Sequence, residues 1–215
     1  MSFSPSLFSQ FIQSISTVIE TNAEEVTALD QAIGDGDHVT NLQRGLEALA
    51  QQSDAISQLD WAEAFKKTGM TILSSVGGAS GSLYGTLFIT MSKTANNQPV
   101  NLQHFAEMLR QGVDAVKRRG KADLGEKTML DVLIPVSEYL QNAAKQDVAL
   151  PEVLEQIKQV AVKGMESTRD LVATKGRASY LGERSKGHID AGARTSQLMI
   201  CTIADVLREQ STTPT

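Results

Sequence analysis

Apolar residues recur along this chain at three- and four-residue intervals, the spacing that lays them on one face of a helix. Leu7, Phe8, Phe11, Ile12, Ile15, Val18 and Ile19 form the first such stripe, and Ser4 followed by Pro5 reads as its N-cap with proline at the first helical position. Asp60, with Glu63 at the reciprocal capping position, opens a second helix whose inner face is Phe65, Thr68, Ile72 and Val76. A third is expected from near Leu83, carrying Leu87, Phe88 and Met91. A fourth starts at Asn101, with Leu102, Phe105, Leu109, Val113 and Val116 inward. Further helical stretches are expected over 129–141, 151–171 and 193–208. Pro135, which has no N–H for the helical ladder, should kink or interrupt the first of them. No segment alternates, and β-branched residues come singly. The expectation is an all-α fold, a bundle of about seven or eight helices forming one domain over 1–215.

Composition narrows the function. Acidic residues outnumber basic ones, 25 to 20, for a net charge of −5, which argues against a generally basic nucleic-acid footprint. A single cysteine, Cys201, makes no internal disulfide, and with three scattered histidines it builds no structural zinc site. At 41% hydrophobic and 21% charged the chain reads as globular rather than disordered. No apolar run approaches the roughly 20 residues that a bilayer span needs. The opening residues lack the positive start and apolar core of a secretory signal. A cytoplasmic protein is expected, with neither nucleic acid nor membrane as partner.

Most glycines fall in four connecting segments, 33–41, 76–81, 120–128 and 175–192, rather than inside helices. Helix bundles need only short polar turns. Glycine-rich connections point instead to backbone brought close to something else. In the first, Asp30, Asp35 and Asp37 come within eight positions, separated by Gly34 and Gly36. Carboxylates so close repel unless a cation neutralises them, and an all-oxygen set calls for a hard ion, Mg²⁺ before Ca²⁺. An EF-hand counted from Asp30 would need glycine and glutamate where Asp35 and Asn41 stand, so that pattern is excluded. The alternative is a solvated turn with an aspartate capping a helix that begins near Thr40.

In the second segment, small residues from Gly77 to Ser82 lead into a helix whose free N–H groups and dipole suit phosphate. No Walker A or Gly-x-Gly-x-x-Gly pattern is present, and close helix packing is the competing account of these residues. The third segment offers Gly120, Gly125, Lys127, Thr128 and Asp131, with Thr128 and Asp131 placed as a capping box. The fourth carries Lys175, Arg177, Arg184 and Lys186 on a loop of about fifteen residues. It is read either as a lid over an anion or as a solvated basic loop. His188 beside Asp190 offers an acid–base pair or an ordinary hydrogen-bonding residue, and His104 reads as a surface residue within its helix. Jointly the segments form the inventory of phosphoryl transfer, which rests on positioning and charge stabilisation.

The stretches GDGDH, GGASGSLYGT, GEKTMLD and GRASYLGERSKGHID, in that order, closely resemble the nucleotide-binding L subunits of dihydroxyacetone kinase, over about residues 5–208. The resemblance implies an all-α barrel of eight antiparallel helices with the nucleotide at one end. It implies two Mg²⁺ on Asp30, Asp35 and Asp37. Nucleotide contacts would fall on His38, Val39, Thr40, Asn41, Ala79, Ser80, Gly120, Met129, Arg177, Asp190, Ala191 and Gly192, with Arg177 as the catalytic candidate. ADP would be a bound coenzyme, rephosphorylated in place by a multiphosphoryl protein of the phosphotransferase system. It would then pass phosphate to dihydroxyacetone held on a separate K subunit. Three departures from the family pattern stand out: Val39 for a usual glycine, Ala191 for a usual proline, and Arg194 as an additional residue before Thr195. The alternatives are an ATP-dependent subunit serving another short-chain ketose and a regulatory nucleotide-binding module that docks on a transcription regulator. Homodimerisation is open in each.

Overall fold

A computed structural model of the chain describes residues 5–95 and 99–212. The N-cap expected at Ser4 lies outside them. Among the described residues there are ten α-helices and no strand: α1 Phe8–Thr21, α2 Ala23–Ile33, α3 His38–Ala50, α4 Ser53–Ser57, α5 Trp61–Ser75, α6 Gly78–Ala95, α7 Leu102–Gly120, α8 Leu130–Lys145, α9 Leu150–Ser167 and α10 Ala191–Thr212. Short 3-10 turns cover Pro5–Leu7, Thr168–Asp170 and Arg177–Ser185.

Caps set two of the starts. Asp60 Oδ1 accepts the Glu63 N–H at 2.9 Å, and Asn101 Oδ1 accepts the His104 N–H at 2.8 Å, each satisfying a donor that has no intrahelical partner. Eight helices then pack in a closed ring, in the order α1, α3, α5, α6, α7, α8, α9, α10 and back to α1. That ring is compatible with the expected eight-helix barrel. Its interior is one continuous apolar core in which Ile19, Val26, Ile56, Met91, Met108, Leu130, Val132 and Val153 are fully buried. Each such side chain contributes about 1.5–3 kcal/mol of transfer free energy.

Several boundaries differ from the sequence reading, for physical reasons. Helix α6 begins at Gly78, not near Leu83, so the small residues of 78–82 form its first turns rather than a lead-in. They are small because space is short: a Cβ on Gly81 would lie 2.0 Å from the Val76 carbonyl oxygen, and one on Gly85 2.4 Å from Leu73 Cγ. Val76, expected on the inner face of the helix opened by Asp60, instead follows α5 in extended conformation and is buried against Gly45. Helix α8 continues through Pro135, so the expected interruption does not occur. The missing N–H would have served the carbonyl of Asp131, and that oxygen faces α9, 2.3 Å from where a Cβ on Gly164 would sit. The interhelical approach therefore requires glycine. Gly164→Ala should destabilise the protein by about 2–4 kcal/mol, because backbone on both sides cannot yield; urea unfolding would measure it, and a loss under about 0.5 kcal/mol would refute the packing argument. Lastly, the stretch 175–192 is not an unstructured loop. Its 3-10 turns bury Ala178 and Ser185, and Ala178 packs with Ile33 and Ala173 in a small satellite cluster.

Candidate active site

The connection from α2 to α3 is built so that its three aspartates converge. Gly34 follows α2 directly, and a Cβ there would lie 2.1 Å from Asp30 Oδ1, so only glycine lets that carboxylate fold over the helix end. Gly36 adopts φ +76°, a left-handed conformation that glycine enters at little cost. One oxygen from each of Asp30, Asp35 and Asp37 then lies within 4.8 Å of the others. Asp30 Oδ2 also accepts the N–H of His38 at 3.1 Å, so the first donor of α3 is met by an aspartate eight residues upstream; Asp37, the residue before α3, makes no side-chain cap. Asp35 Oδ2 lies 2.8 Å from Arg177 Nη2. Three hard oxygen donors at this separation, over a glycine that could carry no side chain, fit Mg²⁺.

These aspartates line a cavity of about 420 Å³. Gly77, Gly78, Ala79 and Ser80 supply its second wall, presenting the N-terminus of α6, where unpaired N–H groups and the helix dipole favour an anion. Asn41 lies against this turn, its Oδ1 2.5 Å from where a Cβ on Gly77 would be. Leu83, Val116, Ala122, Met129 and Leu130 give the cavity an apolar lining. Gly120 also lines it; a Cβ there would meet Leu83 Cδ2 at 3.4 Å and Ala122 Cβ at 3.9 Å, ordinary contacts, so packing within the protein does not demand glycine at that position.

His38 is buried and both ring nitrogens are engaged. His38 Nε2 lies 2.9 Å from Thr195 Oγ1 and Nδ1 lies 3.1 Å from Ser80 Oγ. Burial lowers the pKa of this ring more than the neighbouring Asp30, Asp37 and Asp35 raise it, which favours the neutral form. His38 therefore orients Ser80 rather than presenting a free ring to the cavity.

Thr128 does not cap α8 as expected: the N-cap is Met129, which has no side-chain cap, and of the expected box only the bond from the Thr128 N–H to Asp131 forms. Asp131 Oδ2 accepts the Thr128 N–H at 2.8 Å and Thr128 Oγ1 accepts that of Leu130 at 3.1 Å. Asp131 Oδ1 further accepts from Gly125 N–H at 2.6 Å, and burial pushes the carboxyl pKa up despite these donors. Glu126 fastens this connection to the segment after α9, accepting from Thr174 Oγ1 at 2.9 Å and lying 3.5 Å from Lys175 Nζ.

Asp30, Asp35, Asp37, His38, Asn41, Ala79, Ser80, Gly120, Met129, Arg177, Asp190, Ala191 and Gly192 all line the one cavity. Val39 and Thr40 do not: Val39 is buried in the apolar core and Thr40 is exposed. The bulk that Val39 adds is thus taken up by the core. Arg194 turns away to pair with Glu25 of α2 at 2.8 Å. Of the four expected basic residues, Lys175 and Arg177 reach the cavity, while Arg184 and Lys186 are exposed elsewhere, Lys186 paired with Glu183. His188 makes no pair with Asp190; its carbonyl accepts from Lys127 Nζ, and Asp190 Oδ2 accepts from the Ala193 N–H at 2.7 Å. His104 is half-buried, its Nδ1 3.3 Å from the Pro99 carbonyl and its Nε2 3.2 Å from that of Thr94. Two charged residues of the cavity carry no role in the sequence reading of the site. Arg119, whose Nε donates to Ser82 Oγ at 2.8 Å, reads in sequence as an ordinary cation at a helix C-terminus. Lys127 stands in the third segment without a role, because a lysine between Glu126 and Thr128 gives no sign of burial.

Fold and site together define an all-helical protein with an oxygen-donor cation cluster beside a nucleotide-sized, anion-compatible cavity. Residues 32–205 match the DAK2 domain. The chain is 41% identical over 210 residues to the ADP-binding subunit DhaL of the PEP-dependent dihydroxyacetone kinase of Escherichia coli, covering 97% of this chain and 100% of that subunit. It is 43% identical over 181 residues to the corresponding subunit of kinase 1 from Listeria innocua, covering 84% and 86%. The chain belongs to the DAK2-domain family, among the ADP-binding subunits of dihydroxyacetone kinase. Its fold matches that of the dihydroxyacetone kinase of C. freundii, with a TM-score of 0.72 and 23% identity for the native form and 0.69 and 22% for the complex with AMP-PNP and Mg²⁺. It covers 94% and 95% of this chain in those comparisons, and about a third of that longer kinase, 35% and 34%. No helix among the described residues is long and apolar enough to cross a membrane.

Proposed function

We propose that this chain is the ADP-binding phosphotransfer subunit of a dihydroxyacetone kinase. The observation that carries the reading is the convergence of Asp30, Asp35 and Asp37 at a cavity whose facing wall is the N-terminus of α6. Asp30, Asp35 and Asp37 would hold two Mg²⁺, and the N–H groups around Ala79 and Ser80 would meet phosphate oxygens. Leu83, Val116 and Met129 would enclose the base, with Asp190, Ala191 and Gly192 forming the remaining wall. Bound Mg²⁺ neutralises phosphate charge as a Lewis acid, and the bound nucleotide carries the phosphoryl group to be passed on. Arg177, whose side chain is 70% exposed and paired with Asp35, would meet charge that develops on the transferring group.

The end-to-end likeness to the E. coli subunit supports a separate K subunit as the acceptor's carrier and a phosphotransferase-system protein as donor. Homodimerisation and a regulator complex are secondary proposals. The first test is the purified chain. It should carry ADP through gel filtration and release it to a chelator, by mass spectrometry of the bound fraction; protein with no measurable ADP affinity in Mg²⁺ would overturn the reading. Mixing with the K subunit separates the donors. Turnover only with the phosphotransferase relay supports the proposal, and sustained turnover on free ATP replaces it with the ATP-dependent version.

A further inference from the structure

Lys127 has only 1% of its surface exposed; burial lowers the pKa of its ammonium, while Asp190, Asp131 and Asp170 nearby favour the charged form. A buried ammonium is unfavourable unless its donors are met. Its Nζ donates to the carbonyl of Thr168 at 2.5 Å, in the 3-10 turn after α9, and to that of His188, in the stretch before α10. Its backbone is also left-handed, φ +61°, which disfavours an L-residue. Both penalties fall on one residue that lines the cavity.

The segments it joins are the ones that form the cavity wall. Its own connection delivers Thr128 and Met129; the stretch at His188 delivers Asp190, Ala191 and Gly192. Asp190 N–H donates to Thr168 Oγ1 at 3.0 Å, and its Oδ2 caps α10 through the Ala193 N–H at 2.7 Å. Facing the Asp190 carboxyl are Lys127 from the α7–α8 connection, Asp131 from α8, Asp30 from α2 and Tyr84 from α6. Near Lys127 stand Asp170 and Arg169 as well. Lys127 is thus the one cation facing Asp190 among these groups.

We propose that Lys127 is a positioning residue for the nucleotide: its ammonium ties down the Asp190–Gly192 wall and keeps Asp190 as a charged cap beneath it. This rests on the reading of the cavity as an ADP site. Burial pushes the Asp190 carboxyl up to about 7, the Ala193 N–H and Lys127 act against burial, and Asp131 and Asp30 add to it. Without the ammonium the carboxyl keeps its proton to higher pH. A neutral carboxyl accepts from Ala193 more weakly than a carboxylate. A cap that works as a carboxylate is lost as pH falls through the carboxyl's pKa. That loss is therefore centred near pH 7 in the native protein and at higher pH once the charge is removed.

The test is Mg·ADP affinity by titration calorimetry on the full chain from about pH 6 to about pH 9, for wild type, Lys127→Met, Lys127→Gln, Asp190→Asn and the double variant Lys127→Met/Asp190→Asn. Glutamine keeps N–H donors for the two carbonyls but no charge. Comparing variants cancels the titration of the ADP phosphates themselves. At neutral pH both Lys127 variants should bind roughly tenfold more weakly, with the deficit shrinking towards alkaline pH. Asp190→Asn should abolish that pH shift, and the double variant should bind no worse than the weaker of its parents. A Lys127 deficit equal at every pH, or one that adds fully to that of Asp190→Asn, marks a merely structural lysine and overturns the proposal. Failure of both Lys127 variants to fold counts the same way. Wild-type protein that binds no ADP at any pH overturns the reading of the cavity instead.

Discussion

Asp35→Asn should abolish Mg²⁺-dependent retention of ADP while leaving the fold intact. The two halves of that expectation have separate origins. Asp35 is exposed, and its described side-chain partner is Arg177, in a pair whose arginine is 70% exposed. Such a pair contributes at most about 1 kcal/mol. The substitution also relieves repulsion from Asp30 and Asp37, so the net change in stability should stay within about 0.5 kcal/mol. Metal affinity, by contrast, depends on how many charged oxygens converge, and one of three is removed. Weakening of Mg·ADP binding on the order of 100-fold is expected, read by calorimetry with and without Mg²⁺. Asp30→Asn is the less clean experiment, because Asp30 also accepts the His38 N–H and folds over Gly34. If Asp35→Asn binds ADP as tightly as wild type and still needs Mg²⁺, the metal assignment is wrong.

Asp30, Asp35 and Asp37 were legible in the sequence because their spacing is local: a turn with two glycines cannot keep three carboxylates far apart. The caps at Asp60 and Asn101 were legible for the same reason, and so was the bond from the Thr128 N–H to Asp131. Features decided by distant partners were not. Helix α2 was passed over because only Val26 and Ile33 of its eleven residues are buried, too thin a stripe to show. The start of α6 was misplaced because the glycines of 77–85 answer to Val76, Leu73 and Asn41 rather than to their own propensity. Pro135 lies inside its helix, and the carbonyl it leaves free is set against Gly164, nearly thirty residues on, an approach that no local pattern shows. Lys127 was hidden most completely, since its acceptors at Thr168 and His188 lie 41 and 61 residues away. What the sequence shows is chemistry within one turn; what it hides is which backbone that chemistry is pressed against.

Arg177→Ala should slow phosphoryl transfer far more than it weakens ADP. Arg177 opens the 3-10 stretch that follows Gly176, at φ +62°, and this stretch is held to the body of the protein through Ala178 rather than through the arginine. Removing the guanidinium should therefore leave the wall in place. Its charge is engaged by Asp35. Were cations to take up the aspartate charges, the guanidinium would be free to turn towards the cavity and respond to charge that appears only during transfer. An arginine acting on the transition state in phosphoryl transfer is worth about 10³–10⁵ in kcat. The lower part of that range is expected here, because the side chain remains open to water, while the ADP dissociation constant should rise by less than about fivefold. Arg177→Lys should rescue little, since a compact ammonium lacks the planar fork that spans two oxygens. Single-turnover transfer to the K subunit, set beside equilibrium binding of ADP, separates the two quantities. Equal losses in rate and affinity would place Arg177 in uniform binding and leave the stabilisation of transferring charge to the N-terminus of α6 and to Arg119, which also lines the cavity.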